Sequence, residues 1–127
     1  MFSKKKKLLI IEDEQPLLEA LTDKFELEGF EVCMATNGEA GLKEALSCHP
    51  DLILLDILLP KMNGLTMLDE LRKNVWGKTA KVIVLTNLSD WDSTNKAVNH
   101  DVHDYLVKSD WKIEDVVKIV KKKLNMS

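Results

Sequence analysis

A chain of 127 residues with 45% hydrophobic and 31% charged side chains fits one domain, spanning 1–127 with a core of about 6–124. A formal net charge of −3 excludes a general basic footprint for nucleic acid, and no apolar run approaches the roughly 20 residues of a membrane-crossing helix. Lys4–Lys7 ahead of Leu8–Ile11 superficially resembles the start of a signal peptide, but Glu12-Asp13-Glu14 cuts the short apolar run off, so a cytoplasmic location is expected.

In chain order, the first strand is Leu8–Ile11. A helix opens at Gln15 with Pro16 just inside, where a missing N–H costs nothing. Leu17, Leu18, Leu21 and Phe25 give that helix its apolar face, and Gly29 can end it in the left-handed conformation. The second strand, Phe30–Ala35, leads to a helix from Gly38 that must stop before Pro50. The third strand is Leu52–Leu55, and a helix follows Gly64 with Leu65, Leu68 and Leu71 along one side.

Val82–Leu85 is the fourth strand. The fourth predicted helix, about Trp91 to Asn99, is rich in poor helix formers and offers only Ala97 and Val98 inward. Tyr105–Val107 is the fifth strand. The last helix carries Ile113, Val116, Val117, Val120 and Leu124 as a clean stripe, with Lys121–Lys123 suiting the dipole of its final turn. Most strands are continuously apolar, as parallel strands buried on both faces are. Alternation of such strands with helices predicts one doubly wound α/β sheet with helices on both faces.

Cys33 and Cys48 show no metal or redox spacing, and each is expected as a small buried apolar side chain in a reducing compartment. His49, His100 and His103 offer no metal spacing either, and surface or turn roles are expected of them.

The chemistry collects at the carboxyl ends of the strands, where ligands of such sheets bind. Strand one delivers Glu12-Asp13-Glu14, strand three Asp56, strand four Thr86 and strand five Lys108. Two carboxylates about 4 Å apart repel by roughly 4 kcal/mol at an effective dielectric near 20, so such a crevice demands a cation. Oxygen-only donors favour a hard ion such as Mg²⁺, with Lys108 as a second positive charge.

Taken together, Leu8-Leu9-Ile10-Ile11-Glu12-Asp13-Glu14, Pro50-Asp51-Leu52-Ile53-Leu54-Leu55-Asp56, Val84-Leu85-Thr86 and Asp104-Tyr105-Leu106-Val107-Lys108 resemble the receiver domains of bacterial response regulators, the CheY-like superfamily of two-component signalling. The resemblance covers nearly the whole chain, in order and at matching spacing. It implies a flavodoxin-like, five-stranded sheet of order 2-1-3-4-5 with five helices.

It further implies a signalling phosphoacceptor rather than an enzyme. Asp56 would take a phosphoryl group from the phosphohistidine of a sensor kinase or a histidine phosphotransfer protein. Mg²⁺ (or Mn²⁺) would be held by Asp13, Asp56 and the backbone carbonyl of Leu58, with Glu12 acting through metal-bound water. Lys108 would pair with Asp56 and then with the phosphoryl group, Thr86 would donate to it, and Tyr105 would turn inward. The face of the fourth helix, fifth strand and last helix would then meet a downstream protein or a second copy. Neither nucleic acid nor membrane is an expected partner of the domain itself.

Singly, these residues also have ordinary uses. Asp56 could cap a turn, Thr86 could satisfy a strand end, Tyr105 could be packing, and Glu14 is expected in solvent or near the first helix dipole. Their conjunction decides for the site. Several positions depart from the family pattern. Ser109 follows Lys108 where a proline in a cis bond is usual, which leaves that peptide trans or strained and the direction of Lys108 open; Ser109 or Asp110 could cap the last helix. Asn87 adds bulk after Thr86. Leu58 and Leu88 offer an attacking water no partner, so slow loss of phosphate is expected. Asp101 stands where a glycine is common and tolerates the left-handed conformation.

Three rival readings fit these residues less well. A pseudo-receiver that binds without being phosphorylated would have lost the acceptor, acidic pair or lysine. A phosphatase of the haloacid dehalogenase type would carry its nucleophile after strand one in Asp-x-Asp, and a flavodoxin-like FMN protein would not have an acidic phosphate loop. The chain ends at Asn125-Met126-Ser127, which reads as a stand-alone receiver, with a piece of a longer protein as the alternative. Trp91 or Trp111 is a candidate anchor for a partner.

Overall fold

The computed structural model describes residues 5–56, 59, 61–85 and 112–126, together with the strand backbone at 86 and 104–107. Five parallel strands, β1 (Lys7–Ile11), β2 (Glu31–Ala35), β3 (Leu52–Asp56), β4 (Val82–Thr86) and β5 (Asp104–Val107), form one sheet of order β2-β1-β3-β4-β5. This is the order that the resemblance implied.

Successive strand residues point to opposite faces, which sorts the core into two halves. Leu8, Ile10, Leu52, Leu54, Ile83 and Leu85 pack with Leu18, Leu21 and Phe25 of α1 (Gln15–Leu27) and with Val116, Val117 and Val120 of the C-terminal helix (Ile113–Lys123). Leu9, Ile11, Ile53, Leu55, Val82 and Val84 pack with Ala45 of α2 (Gly38–Cys48) and with Met67, Leu68 and Leu71 of α3 (Gly64–Lys73). The continuous apolar runs of β1, β3 and β4 result from this: both faces are covered.

Helix ends obey local chemistry. Gly29 takes φ +94 just beyond α1, the left-handed turn expected there. The Asn37 and Asn63 side chains accept from the N–H groups of Ala40 (2.8 Å) and Thr66 (3.0 Å), capping α2 and α3. At the end of α2, His49 itself takes the left-handed conformation (φ 48) and stacks on Trp76 at 4.4 Å and 6°. Gly38 opens α2 so close to the chain after β3 that a Cβ there would run into the Met62 carbonyl.

Two features depart from what the residue pattern predicts. A 3₁₀ turn, Gly77–Thr79, follows α3, and Arg72 Nη1 donates to the carbonyls of Gly77 (2.7 Å) and Ala80 (2.9 Å), holding that turn. The C-terminal helix begins after Lys112, whose N–H donates to Asp115 Oδ2 at 2.9 Å. That carboxylate lies inside the first turn of the helix; Ser109 and Asp110, expected as caps, lie outside the described residues.

At the amino end of the sheet, β1 and β3 are tied reciprocally. The Asp51 N–H donates to the Lys7 carbonyl at 2.8 Å, and the Lys7 N–H donates to Asp51 Oδ2 at 2.7 Å. On the opposite flank, Lys121 Nζ meets Glu28 at 2.6 Å and joins the C-terminal helix to α1. The helix expected over 91–99, and Asp101, lie outside the described residues. No helix among the described residues is long and apolar enough to cross a membrane.

Candidate functional site

Strand order places β1 and β3 side by side at the centre, and the connections leave them in opposite directions along the sheet. This is the switch point at which a crevice opens beyond the carboxyl ends of the strands. Register pairs Ile11 with Leu55, so Glu12, the next residue after Ile11, comes level with Asp56. Asp56 in turn is paired with Leu85 of β4, and Thr86 is paired with Val107 of β5.

Glu12, Asp13 and Asp56 each bring a carboxylate oxygen to within 4.8 Å of the others. Glu12 is 0% exposed and Asp56 5%, while Asp13 faces solvent. Glu12 Oε2 accepts from the Glu14 N–H at 3.0 Å, which aims it back across the start of α1. Glu14 itself is exposed, as expected. Charges 4.8 Å apart repel by about 3 kcal/mol at an effective dielectric near 20, less where Asp13 is hydrated. A fold that retains such a cluster on its two central strands is built to hold a counterion.

The donor set fits a hard divalent ion. All three side chains offer oxygen, and an octahedral ion with oxygens at about 2.1 Å spans trans ligands of about 4.2 Å, within the separation available here. Nothing in the set favours a soft metal.

Of the other expected site residues, Thr86 ends β4, the strand beside β3, and Tyr105 lies in β5, one strand further out and paired with Val84; both are placed as backbone. Lys108, Leu58, Asn87 and Leu88 lie outside the described residues, as do Ser109, Trp91, Trp111, His100 and His103.

A second group escapes a reading of spacing along the chain. Cys33 and Cys48 are half-buried rather than fully buried, and their sulfurs lie 3.9 Å apart with the Glu44 carboxylate beside them. The signal that could have found it is Glu44 and Cys48 four apart on α2, hence on one face, above a cysteine of the adjoining strand.

The model of the response regulator receiver domain matches residues 8–121. The chain belongs to that family. Its similarity to curated proteins runs to 38% identity over 102 residues with the response regulator ArlR of Staphylococcus saprophyticus, covering 80% of this chain and 45% of that protein. With the regulatory protein AtoC of Escherichia coli it is 32% over 102 residues, covering 80% and 22%. The receiver thus spans less than half the length of these relatives.

Among solved structures, a putative response regulator from Chloroflexus aurantiacus superposes with a TM-score of 0.85 at 29% identity, covering 94% of this chain and 97% of that one. The receiver domain of a sensor histidine kinase from Pseudomonas aeruginosa, solved with magnesium coordinated in its active site cleft, shares the fold at a TM-score of 0.80 and 24% identity, covering 94% and 97%. The chain is a receiver of two-component signalling, a family of signalling domains rather than enzymes.

Proposed function

We propose that this receiver takes a phosphoryl group onto Asp56 from the phosphohistidine of a sensor histidine kinase or a histidine phosphotransfer protein. A carboxylate oxygen of Asp56 attacks phosphorus, the phosphorus–nitrogen bond breaks, and an acyl phosphate forms. One observation carries the reading: Asp56 is buried at the end of the central strand with Glu12 and Asp13 converging on it.

Asp13, Asp56 and the Leu58 carbonyl would hold Mg²⁺ (or Mn²⁺), with Glu12 acting through its bound water. When bound, the ion supplies positive charge against the phosphoryl oxygens. The magnesium in the cleft of the Pseudomonas receiver supports this assignment. Glu12 and Asp13 would act on the incoming group through that ion, and the burial of Glu12 and Asp56 limits the access of bulk water to the new acyl phosphate. Lys108, one residue beyond β5, is assigned the remaining positive charge. Thr86 is assigned the hydroxyl that meets the phosphoryl group, and Tyr105 the side chain that follows it inward. The surface of β5 and the C-terminal helix, with the expected 91–99 helix, is the proposed docking face for a downstream protein or a second copy.

The test is incubation with Mg²⁺ and a small acyl-phosphate donor. Intact mass should rise by one phosphoryl group, and Asp56→Asn should abolish the rise. An unmodified wild-type chain would overturn the proposal and leave a receiver fold that binds without being phosphorylated; an equal gain in Asp56→Asn would overturn it by moving the phosphoryl group to another residue. Apolar Leu58 and Leu88 are assigned a protecting role, so the phosphorylated form should persist well beyond seconds in purified protein; decay within seconds would remove that role.

A further inference from the structure

The cluster beyond the acidic crevice has the chemistry of a metal site of another kind. Cys33 comes from the edge strand β2, and Glu44 and Cys48 from one face of α2. The Sγ–Sγ separation is 3.9 Å and Cys48 Sγ lies 3.3 Å from Glu44 Oε2, and a ligand atom from each of the three falls within 4.8 Å of the others. A tetrahedral ion with sulfur at about 2.3 Å and oxygen at about 2.0 Å would set its ligands about 3.8 Å (S to S) and 3.5 Å (S to O) apart. The side chains already stand close to those separations.

We propose that Cys33, Glu44 and Cys48 form a second cation site, suited to a thiophilic divalent ion such as Zn²⁺, with two thiolates, one carboxylate and a solvent-filled fourth position. Sulfur donors select this class of ion over Mg²⁺. All three residues are half-buried, which leaves an entry path for the ion and for water. The ion would clip the edge strand to α2.

A cysteine pair this close could instead serve as a reversible disulfide, but the third residue argues otherwise. Glu44 accepts from the Cys48 thiol, and that hydrogen bond, then burial and Cys33, push the thiol up to about 11. Oxidation and metal binding both require the thiol proton to leave, but the carboxylate adds nothing to a disulfide, whereas to a metal it is one more ligand at the right distance.

The site is independent of the phosphoacceptor reading, and its test separates the two. Full-length reduced protein, with excess Mg²⁺ to occupy the acidic cluster, is titrated with Co²⁺ as a coloured stand-in for Zn²⁺. One Co²⁺ per chain should bind with thiolate-to-cobalt charge-transfer absorption, which carboxylates cannot produce, and Zn²⁺ should bleach it. Cys33→Ser and Cys48→Ser should each lose the band. Glu44→Gln should keep it while weakening binding at least about tenfold, the loss that even a hydrogen-bond partner of a ligand causes. Circular dichroism of each variant establishes that it is folded. Absence of the band while both thiols remain titratable, or a band that survives either cysteine substitution, would overturn the site.

Discussion

The receiver holds two groups of potential ligands at different places on one sheet, and they are built in contrasting ways. Glu12, Asp13 and Asp56 stand where the two central strands end, supported by a core closed on both faces. Cys33, Glu44 and Cys48 join the edge strand to the far end of α2, near Lys5–Lys7 and Asp51 at the amino side of the sheet. Central strands give fixed positions at the cost of concentrating like charge. The edge gives looser support to neutral thiols that repel little. The first arrangement is one that a counterion would relieve; the second carries less repulsion to begin with.

The contrast in support is the easiest to break. Leu54→Ala, in the fully buried middle of β3, should cost about 2–5 kcal/mol in urea unfolding. Met34→Ala, exposed on β2, should stay within about 0.5 kcal/mol. Equal costs would erase the distinction between a rigid centre and a permissive edge.

Charge crowding should be visible without any ion. Asp13→Asn should stabilise the metal-free protein by about 1–2 kcal/mol by relieving repulsion, and should shrink the rise in Tm that Mg²⁺ gives the wild type. A loss of metal-free stability would mean that the three acids are already neutralised.

Thiol chemistry sharpens the other half. With its thiol raised to about 11 chiefly by Glu44, Cys48 should alkylate slowly at pH 8, and Glu44→Gln should speed it by about tenfold. Peptide mapping of the modified cysteine measures this; an unchanged rate would remove Glu44 from the cluster.

The smallest effect is expected on the opposite flank. The Lys121 hydrogen bond, with its charge, holds the Glu28 carboxyl below its ordinary value. A depressed carboxyl stabilises above its unfolded pKa, and the contribution is lost as pH falls through the folded value. Lys121→Met should therefore be slightly less stable than wild type at pH 7 and indistinguishable from it in strong acid; a gap persisting in acid would point to packing instead.

How much of this was legible in the sequence depends on where each group sits. Asp56 announces itself because it directly succeeds Leu52–Leu55, a run that only a strand covered on both faces would carry. Glu12 and Asp13 are legible for the same reason after β1. Strand order came from the resemblance, since alternation alone gives parallel strands without saying which are neighbours. The 3₁₀ turn was not legible, because Arg72 holds it through backbone carbonyls that leave no side-chain pattern. Nor was the Asp115 cap, which depends on where the helix begins. The thiols stayed hidden because their proximity is set by the register of α2 over β2, not by their separation of 15 along the chain.

The Asp51–Lys7 tie at the amino end of the sheet sets more than a strand pairing. Lys7 to Glu12 and Asp51 to Asp56 are each five steps along the chain, so the tie acts as a common zero from which two equal lengths are measured. Removing one residue from either length would draw its carboxylate back by about 3.3 Å and turn it through to the other side of the sheet. The acids meet because two rulers of the same length start from one mark.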